Sequence, residues 1–239
     1  MEPVISVKRL KKSYGNKLVL DSISFDVAGG SVFGLLGHNG AGKSTTIECI
    51  LGTKAFEQGE ISILPQSCSI NRKQLFQKIG VQFQNTAFPL KIKVKELCAI
   101  NHSLYENPSD WKQMLGEFRL LDKANSYVSN LSGGEQQKLF IILAIMHNPQ
   151  LVFLDELTTG LDPKARRDVW KYIRGLKERG MTIFLTSHYM DEVENLCDRV
   201  AILQQGKIIV SGTVSDVIAI SGKSNMDEAF LYFAEEDEA

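Results

Sequence analysis

The sequence predicts an α/β fold with a parallel sheet, an N-terminal antiparallel β subdomain and an inserted helical subdomain. Three observations carry this prediction. An alternating strand pattern opens the chain, apolar strands alternate with helices on both sides of its middle, and helical spacing fills residues 93–146. Strands that alternate with helices are typical of a parallel sheet covered on both faces.

Composition limits the class of protein and of partner. The 239 residues, of which 44% are hydrophobic and 23% charged, are typical of a globular protein. The 27 lysine and arginine residues nearly balance the 28 acidic residues, so no broad cationic field exists to hold nucleic acid. No nucleic-acid partner is therefore expected.

The cysteines and apolar runs indicate a cytosolic location. The four cysteines lack the paired spacing of a zinc site or a redox motif, which indicates reduced thiols. No apolar stretch approaches the roughly 20 residues that span a bilayer, and no secretory signal opens the chain. We therefore expect a cytoplasmic chain that does not itself cross a membrane.

The first segment predicts the antiparallel subdomain. Ile23, Phe25 and Val27 alternate with polar residues and precede a glycine turn at residues 29–30. One apolar and one polar face are typical of an antiparallel sheet that packs on one side only.

A strand, a glycine-rich loop and a helix follow as one unit. Residues 32–36 form an uninterrupted apolar strand that runs into the loop, and residues 43–51 have the pattern of a helix. Shorter strands are expected at residues 61–64 and 79–83.

The central segment changes to helical spacing, which predicts an inserted helical subdomain. Its apolar residues form two sets, each expected to share one face: Val94, Leu97, Cys98 and Leu104, then Trp111, Leu115, Phe118 and Leu121.

After Pro149 the α/β pattern resumes, and no repeat of the first half appears in the second. Strands are expected at residues 151–154, 182–186 and 200–203, with helices around 169–176 and 190–197. We therefore expect one domain over residues 1–239. Its α/β core covers about 1–84 and 150–220, its helical subdomain about 85–149, and its short C-terminal helix and acidic tail about 221–239.

The glycine-rich loop fits the pattern GxxxxGK[ST] of phosphate-binding loops. In this pattern backbone N–H groups and the following helix N-terminus face the phosphates of ATP. Lys43 would reach the β and γ phosphates, Ser44 would bind Mg²⁺, and the N–H of Thr45 would serve the α phosphate. The alternative, an ordinary glycine turn, is disfavoured by the strand before the loop and the helix after it, so the core is predicted to be a P-loop NTPase. The loop consists of Gly37, His38, Asn39, Gly40, Ala41, Gly42, Lys43 and Ser44.

Two carboxylates follow the apolar strand at residues 151–154. Asp155 and Glu156 are expected at the carboxyl edge of the parallel sheet, where such folds keep their active sites. Asp155 suits Mg²⁺, and Glu156 is then free to act as the general base that activates water. The alternative is that the pair only begins a solvated loop.

Residues 131–136, with Ser132, Gly133, Gly134 and Glu135 at their centre, resemble the signature sequence of ATP-binding-cassette (ABC) proteins. As in that family, the segment stands at a helix start shortly before the Asp155 strand. The resemblance extends from about residue 4 to residue 212.

The resemblance implies roles for four further residues. Tyr14 would stack on adenine, and Gln84 would bind Mg²⁺ and take part in catalysis where the core joins the helical subdomain. Asp162, in the segment Thr159-Gly160-Leu161-Asp162, would cross to a partner subunit, and His188 would contact the γ phosphate. Each has an ordinary alternative: surface aromatic, strand end, helix cap or satisfied histidine.

The resemblance also implies a second cassette. Ser132, Gly133, Gly134, Glu135 and Asp162 would contact ATP bound to the glycine loop of a partner cassette, which is either the same chain or a related one. Each ATP would then join two cassettes, and hydrolysis would release them.

Two residues depart from the family pattern, in which Gln is more usual at Glu135 and Pro at Leu157. Glu135 adds a negative charge near the partner's nucleotide, and Leu157 leaves the backbone less restricted than proline would. We expect activity to survive both departures.

The sequence around His38 and residues 187–199 is similar to that of the subclass that exports drugs, antibiotics, peptides or lipids. That similarity implies a separate transmembrane permease, docked on a surface at about residues 85–104 that includes Phe88, and a location on the inner face of the cell membrane. The alternatives are a soluble ABC ATPase without a membrane partner and a scaffold without hydrolysis. Lys43, Glu156 and His188 argue against the scaffold.

Overall fold

A computed structural model describes residues 2–64, 72–83, 88–89 and 91–235. The chain divides into two compact units, one of residues 1–69 with 182–239 and the other of residues 70–181. Within the described ranges no helix is both long and apolar enough to span a bilayer.

The first unit begins with the predicted antiparallel sheet. Its strands are β1 (Ile5–Tyr14), β2 (Lys17–Val27) and β4 (Gln58–Ile63), in the order β2-β1-β4. In the register Ile5 lies opposite Val27 on one side and Ile63 on the other. Ile23, Phe25 and Val27 are buried, which confirms the alternation predicted for this sheet.

The parallel part of this unit is built around β3 (Val32–Leu36). It pairs in parallel with β7 (Thr182–Ser187) and with β8 (Arg199–Gln204), and β9 (Lys207–Thr213) adds to β8 in antiparallel fashion. All five residues of β3 are buried, as expected of a parallel strand that is covered on both faces. The glycine-rich loop thus leaves the sheet from an interior strand.

Helices cover this sheet and enclose its core. They are α1 (Lys43–Ile50), α7 (Met190–Leu196), α8 (Val214–Ser221) and α9 (Met226–Glu235). On α9, Met226, Phe230 and Phe233 are buried in one cluster with Leu36 of β3 and Ile202 of β8. The remaining residues of the acidic tail, 236–239, lie outside the described ranges.

Among the described residues, the second unit contains a parallel strand pair and five α-helices. Its strands β5 (Ile79–Gln82) and β6 (Leu151–Asp155) pair in parallel, with Ile79 opposite Leu151. Its helices are α2 (Arg72–Phe76), α3 (Val94–His102), α4 (Trp111–Glu117), α5 (Gly133–Ile145) and α6 (Pro163–Glu178), with 3₁₀ turns at Leu121–Lys123 and Val128–Asn130. The α/β class predicted from the sequence is confirmed.

Two apolar residues in this unit do not share the helix face that was predicted for them, because the helices end before these residues. Leu104 is 65% exposed because α3 ends at His102, and the amide of Gln77 donates to the Leu104 carbonyl at 3.2 Å. Leu121 is 52% exposed because α4 ends at Glu117 and Arg119 takes a positive φ of 57°, so the helical spacing does not continue. The other residues of the two sets are buried, except Trp111, which is half-buried.

Candidate nucleotide-binding site

The glycine loop connects the buried end of β3 to the first turn of α1. Gly42, at the N-cap of α1, has a φ of 110°, and a Cβ at this position would lie 2.7 Å from Leu20 Cδ2. A Cβ on Gly37 would overlap the carbonyl oxygen of Leu203. Neither position has room for a side chain, so glycine is required if the loop is to follow this path.

Hydrogen bonds inside the loop converge on the carbonyl oxygen of His38. This oxygen accepts from the N–H of Ala41 at 3.1 Å and from the Lys43 ammonium at 3.2 Å. The same ammonium donates to the carbonyl of Gly37 at 2.8 Å, and the Lys43 side chain is buried. The carbonyls of Gly37 and His38 therefore both help to position the Lys43 ammonium.

The outer part of the loop faces solvent. His38, Asn39 and Gly40 are exposed, as is Ser44 in the first turn of α1, while Thr45 is half-buried. Their placement at a helix N-terminus after a buried strand is the arrangement that binds phosphate groups.

The His38 ring lies against the C-terminal helix. Its centroid is 5.1 Å from that of Phe230 on α9, with an angle of 56° between the ring planes. Phe230 lies 192 positions after His38, and the sequence offered no signal for this contact.

Tyr14 lies at the end of β1 and is 44% exposed. The Lys12 ammonium is 4.9 Å from the centre of its ring, on one face. The exposed aromatic is of the kind that can stack on a flat heterocycle.

Asp155 and Glu156, in the second unit, are both buried at the carboxyl end of β6. Glu156 takes a φ of 50°, and its carbonyl accepts from the N–H of Thr159 at 3.2 Å. A left-handed backbone at a residue other than glycine is costly and is common at functional sites. Leu157 is buried, so packing holds the position where the family pattern more often has proline.

The signature segment starts α5. Ser132 is the N-cap, its Oγ accepts from the N–H of Glu135 at 3.3 Å, and its own N–H donates to Glu135 Oε2 at 2.8 Å. Glu135 Oε1 lies 3.3 Å from the ammonium of Lys123. The hydrogen bond from the Ser132 N–H, helped by Lys123, lowers the pKa of the Glu135 carboxyl, so it stays ionised. Sequence reasoning missed Lys123.

Asp162 caps the neighbouring helix. Its Oδ1 accepts from the N–H groups of Lys164 and Ala165, which lowers its pKa. A Cβ on Gly134 would lie 3.0 Å from the Cβ of Ala165, and one on Gly133 would lie 3.6 Å from Leu161. The structure therefore brings the starts of α5 and α6 together, with Ser132 and Asp162 both exposed.

Three more residues complete the predicted set. His188 follows β7 and is half-buried, with its ring centroid 4.1 Å from that of Tyr189. Gln84 lies outside the described residues. Phe88 is half-buried with its ring 5.4 Å from that of Phe140 on α5, so it takes part in the packing of the second unit itself.

The fold and the glycine loop define an α/β ATPase of the P-loop class. The sequence profile of the ABC transporter family matches residues 20–159, more than half of the chain. The chain therefore belongs to the ABC transporter family, as an ATP-binding subunit, and the ATPases of this family hydrolyse ATP.

Similar proteins include two bacterial export or resistance components. One is the Nod factor export ATP-binding protein I of Paraburkholderia xenovorans (strain LB400), 39% identical over 91% of this chain and 73% of the relative. Another is the linearmycin resistance ATP-binding protein LnrL of Bacillus subtilis (strain 168), 35% identical over 95% of this chain and 78% of the relative. A solved ATP-binding subunit of an ABC transporter matches with a TM-score of 0.86 and 28% identity, over 97% of this chain and 99% of its own.

Proposed function

We propose that this chain powers a membrane exporter by joining a second cassette around ATP and separating from it after hydrolysis. The observation that carries the proposal is that one chain presents two different sets of exposed helix starts, which are the kind of surface that can bind phosphate. The glycine loop precedes α1 in the first unit, and the adjoining exposed starts of α5 and α6 stand in the second. In this arrangement the second surface serves the nucleotide of a partner.

Within one cassette, the first unit holds the body of the nucleotide. Tyr14 stacks on adenine, the N–H groups of the glycine loop and of Thr45 bind the phosphates, and Lys43 meets the β and γ phosphates. His188 contacts the γ phosphate.

Mg²⁺ fits the residues that this chain offers. Ser44 would contribute a hydroxyl and Asp155 a buried carboxylate, which are oxygen ligands of the kind that Mg²⁺ prefers, and Gln84 would be the third ligand. When bound, the ion neutralises charge on the β and γ phosphates.

Glu156 is the proposed general base. Its carboxylate accepts a proton from the water whose oxygen bonds to the γ phosphorus in line, while the bond from that phosphorus to the β–γ bridging oxygen breaks and ADP leaves. The left-handed backbone of Glu156 helps to fix where the carboxylate is presented. From the partner, Ser132, Gly133, Gly134, Glu135 and Asp162 complete the site. Hydrolysis removes the γ phosphate and with it the link between the cassettes.

The family and the relatives' export and resistance roles favour a separate transmembrane permease as the partner. We infer that the chain works on the inner face of the cell membrane through that permease. A soluble ABC ATPase is the alternative, and recovery of the tagged chain from membranes in mild detergent distinguishes the two. If the tagged chain is recovered without an accompanying membrane protein, the result supports the soluble ATPase.

The decisive test replaces Glu156 by Gln, which keeps the shape of the side chain but removes the base. We expect ATP hydrolysis to fall by at least about a hundredfold, since general-base catalysis contributes about 10²–10⁴, and ATP-bound dimers to accumulate. Phosphate release and size-exclusion chromatography measure the two effects.

The control adds Ser132→Arg to Glu156→Gln. The bulky side chain at the start of α5 should abolish the dimer while ATP binding to the single chain is retained. Two results would contradict the proposal. One is near-normal ATP hydrolysis by the Glu156→Gln chain. The other is loss of ATP binding to the single chain when Ser132→Arg is added.

A further inference from the structure

The last described helix, α9, contacts the loop that binds ATP. Phe230 of α9 is buried, whereas His38 is exposed and sits within the glycine loop, and their ring centroids are 5.1 Å apart. This is the geometry of a tilted aromatic pair, which stabilises an arrangement beyond the effect of buried area alone.

The position of Phe230 is itself fixed by the core. It belongs to the buried cluster that includes Leu36, the last residue of β3 before the loop. Two hydrogen bonds hold the ends of α9: the N–H of Met226 donates to Glu194 Oε1 of α7 at 2.6 Å, and the amide of Gln204 donates to the Ala234 carbonyl at 3.0 Å. Because both ends of α9 are held, the Phe230 ring that contacts His38 has a fixed position.

One hydrogen bond connects His38 to the proposed phosphate-binding lysine. The carbonyl of His38 accepts from both the Lys43 ammonium and the Ala41 N–H. Holding the His38 ring against α9 limits the movement of residue 38 as a whole. It therefore favours the loop conformation in which the carbonyls of His38 and Gly37 both accept from Lys43.

We propose that Phe230 is a positioning residue for ATP binding, which acts through the ring of His38 on the glycine loop. The inference rests on the proposed function only in taking that loop as the ATP site. It assigns to α9 a role in nucleotide affinity in addition to closing the core.

The test measures ATP affinity of the purified chain by calorimetry and its melting temperature in parallel. Phe230→Leu should weaken ATP binding by about three- to tenfold, the range that the loss of one aromatic pair corresponds to. Phe230→Tyr, which keeps a ring, should restore nearly normal affinity.

The matched control is Phe233→Leu. Phe233 lies on the same helix and in the same buried cluster, but its ring lies 5.1 Å from that of Tyr232. It should lower the melting temperature as much as Phe230→Leu does and leave ATP affinity unchanged. If Phe230→Leu does not fold, Phe230→Met, which keeps volume without a ring, carries the same comparison.

A double-mutant cycle checks that the effect passes through His38. In a His38→Ala chain, Phe230→Leu should change ATP affinity by less than about twofold, because the pair is already broken. Equal affinities of the Phe230→Leu and Phe233→Leu chains, or additive effects in the cycle, would overturn the inference. If the unmodified chain does not bind ATP, the proposed function fails instead.

Discussion

Glu135 shows how one residue can depart from a family pattern without disturbing the surface it belongs to. Each of its carboxylate oxygens has a separate partner, the Ser132 N–H for one and Lys123 for the other. The capping box keeps the start of α5 in place, and the lysine offsets the charge that glutamine would not carry.

Lys123 is therefore expected to matter only because Glu135 is charged. In a Glu156→Gln chain, Lys123→Gln should weaken ATP-dependent dimerisation by about two- to fivefold at low salt, since it leaves an unbalanced negative charge beside the partner's ATP. Sedimentation measurements over a range of salt concentrations would detect this, and the effect should shrink as salt rises.

Two further variants make that prediction specific. Glu135→Gln retains the capping box and should remove the dependence on Lys123 altogether. Lys171→Gln breaks a comparable exposed ion pair on α6, where Lys171 lies 3.6 Å from Asp168, and should have no effect. A loss of dimers that persists with Gln at residue 135 would show that Lys123 acts in another way.

At the scale of elements, α9 carries two neighbouring carboxyl groups whose pKa values are shifted in opposite directions. Burial raises the pKa of Asp227, and the neighbouring carboxylates of Asp191 and Glu194 on α7 raise it further. The adjacent Glu228 accepts hydrogen bonds from the hydroxyl and the N–H of Ser224, which lower its pKa. Two consecutive acidic residues should therefore affect stability in opposite directions.

The sign of each effect follows from the direction of its shift. An acid with a raised folded-state pKa loses stability as pH rises from its unfolded-state pKa, about 3.9 for Asp, through the higher folded value. Asp227→Asn should thus raise the melting temperature at pH 7 and leave it unchanged at low pH. Glu228→Gln should lower it at pH 7 and, likewise, have no effect at low pH. Thermal unfolding at several pH values measures both, and shifts of the same sign would refute the assignment.

At the scale of the whole molecule, the sequence predicted the α/β class, the antiparallel subdomain and the strand before the glycine loop. It could do so because a strand buried on one face alternates apolar and polar residues, and a strand buried on both faces is a continuous apolar run. It failed for Leu104 and Leu121, since helical spacing says nothing of where a helix ends, and a positive φ at Arg119 has no signal in the sequence.

The residues of the candidate site also fall into those that the sequence predicted and those that it did not. Lys43, Asp155 and Ser132 belong to continuous motifs whose chemistry can be read locally. Lys123 and Phe230 could not be found, because each acts through a contact with a residue distant in the chain, and such contacts appear only when the chain is folded.

The exposure of Leu104 changes which residues we expect to contact the proposed permease. Within residues 85–104, Ile100 and Leu104 are exposed apolar side chains, whereas Phe88 is partly engaged with Phe140. Exposed apolar side chains are candidates for the centre of an interface with a partner protein.

Leu104→Asp should therefore prevent co-purification of the permease while the melting temperature and ATP binding of the chain stay unchanged. Ile220→Asp is the control, because Ile220 on α8 is 61% exposed but belongs to the other unit. Phe88→Asp should lower the melting temperature, which neither Leu104→Asp nor Ile220→Asp should do, because Phe88 packs against Phe140. Full recovery of the permease with Leu104→Asp would place the docking surface elsewhere.

The central place of β3 also bears on how the protein is made. Both strands that flank it, β7 and β8, come from residues 182–204, so the ribosome releases the glycine loop long before its supporting strands exist. Pairing across so much intervening chain is slow, because a long loop must close before any contact forms. A growing chain therefore carries an ATP-binding motif that has no ATP site, and this delays any engagement with nucleotide or partner cassette until synthesis has passed β8.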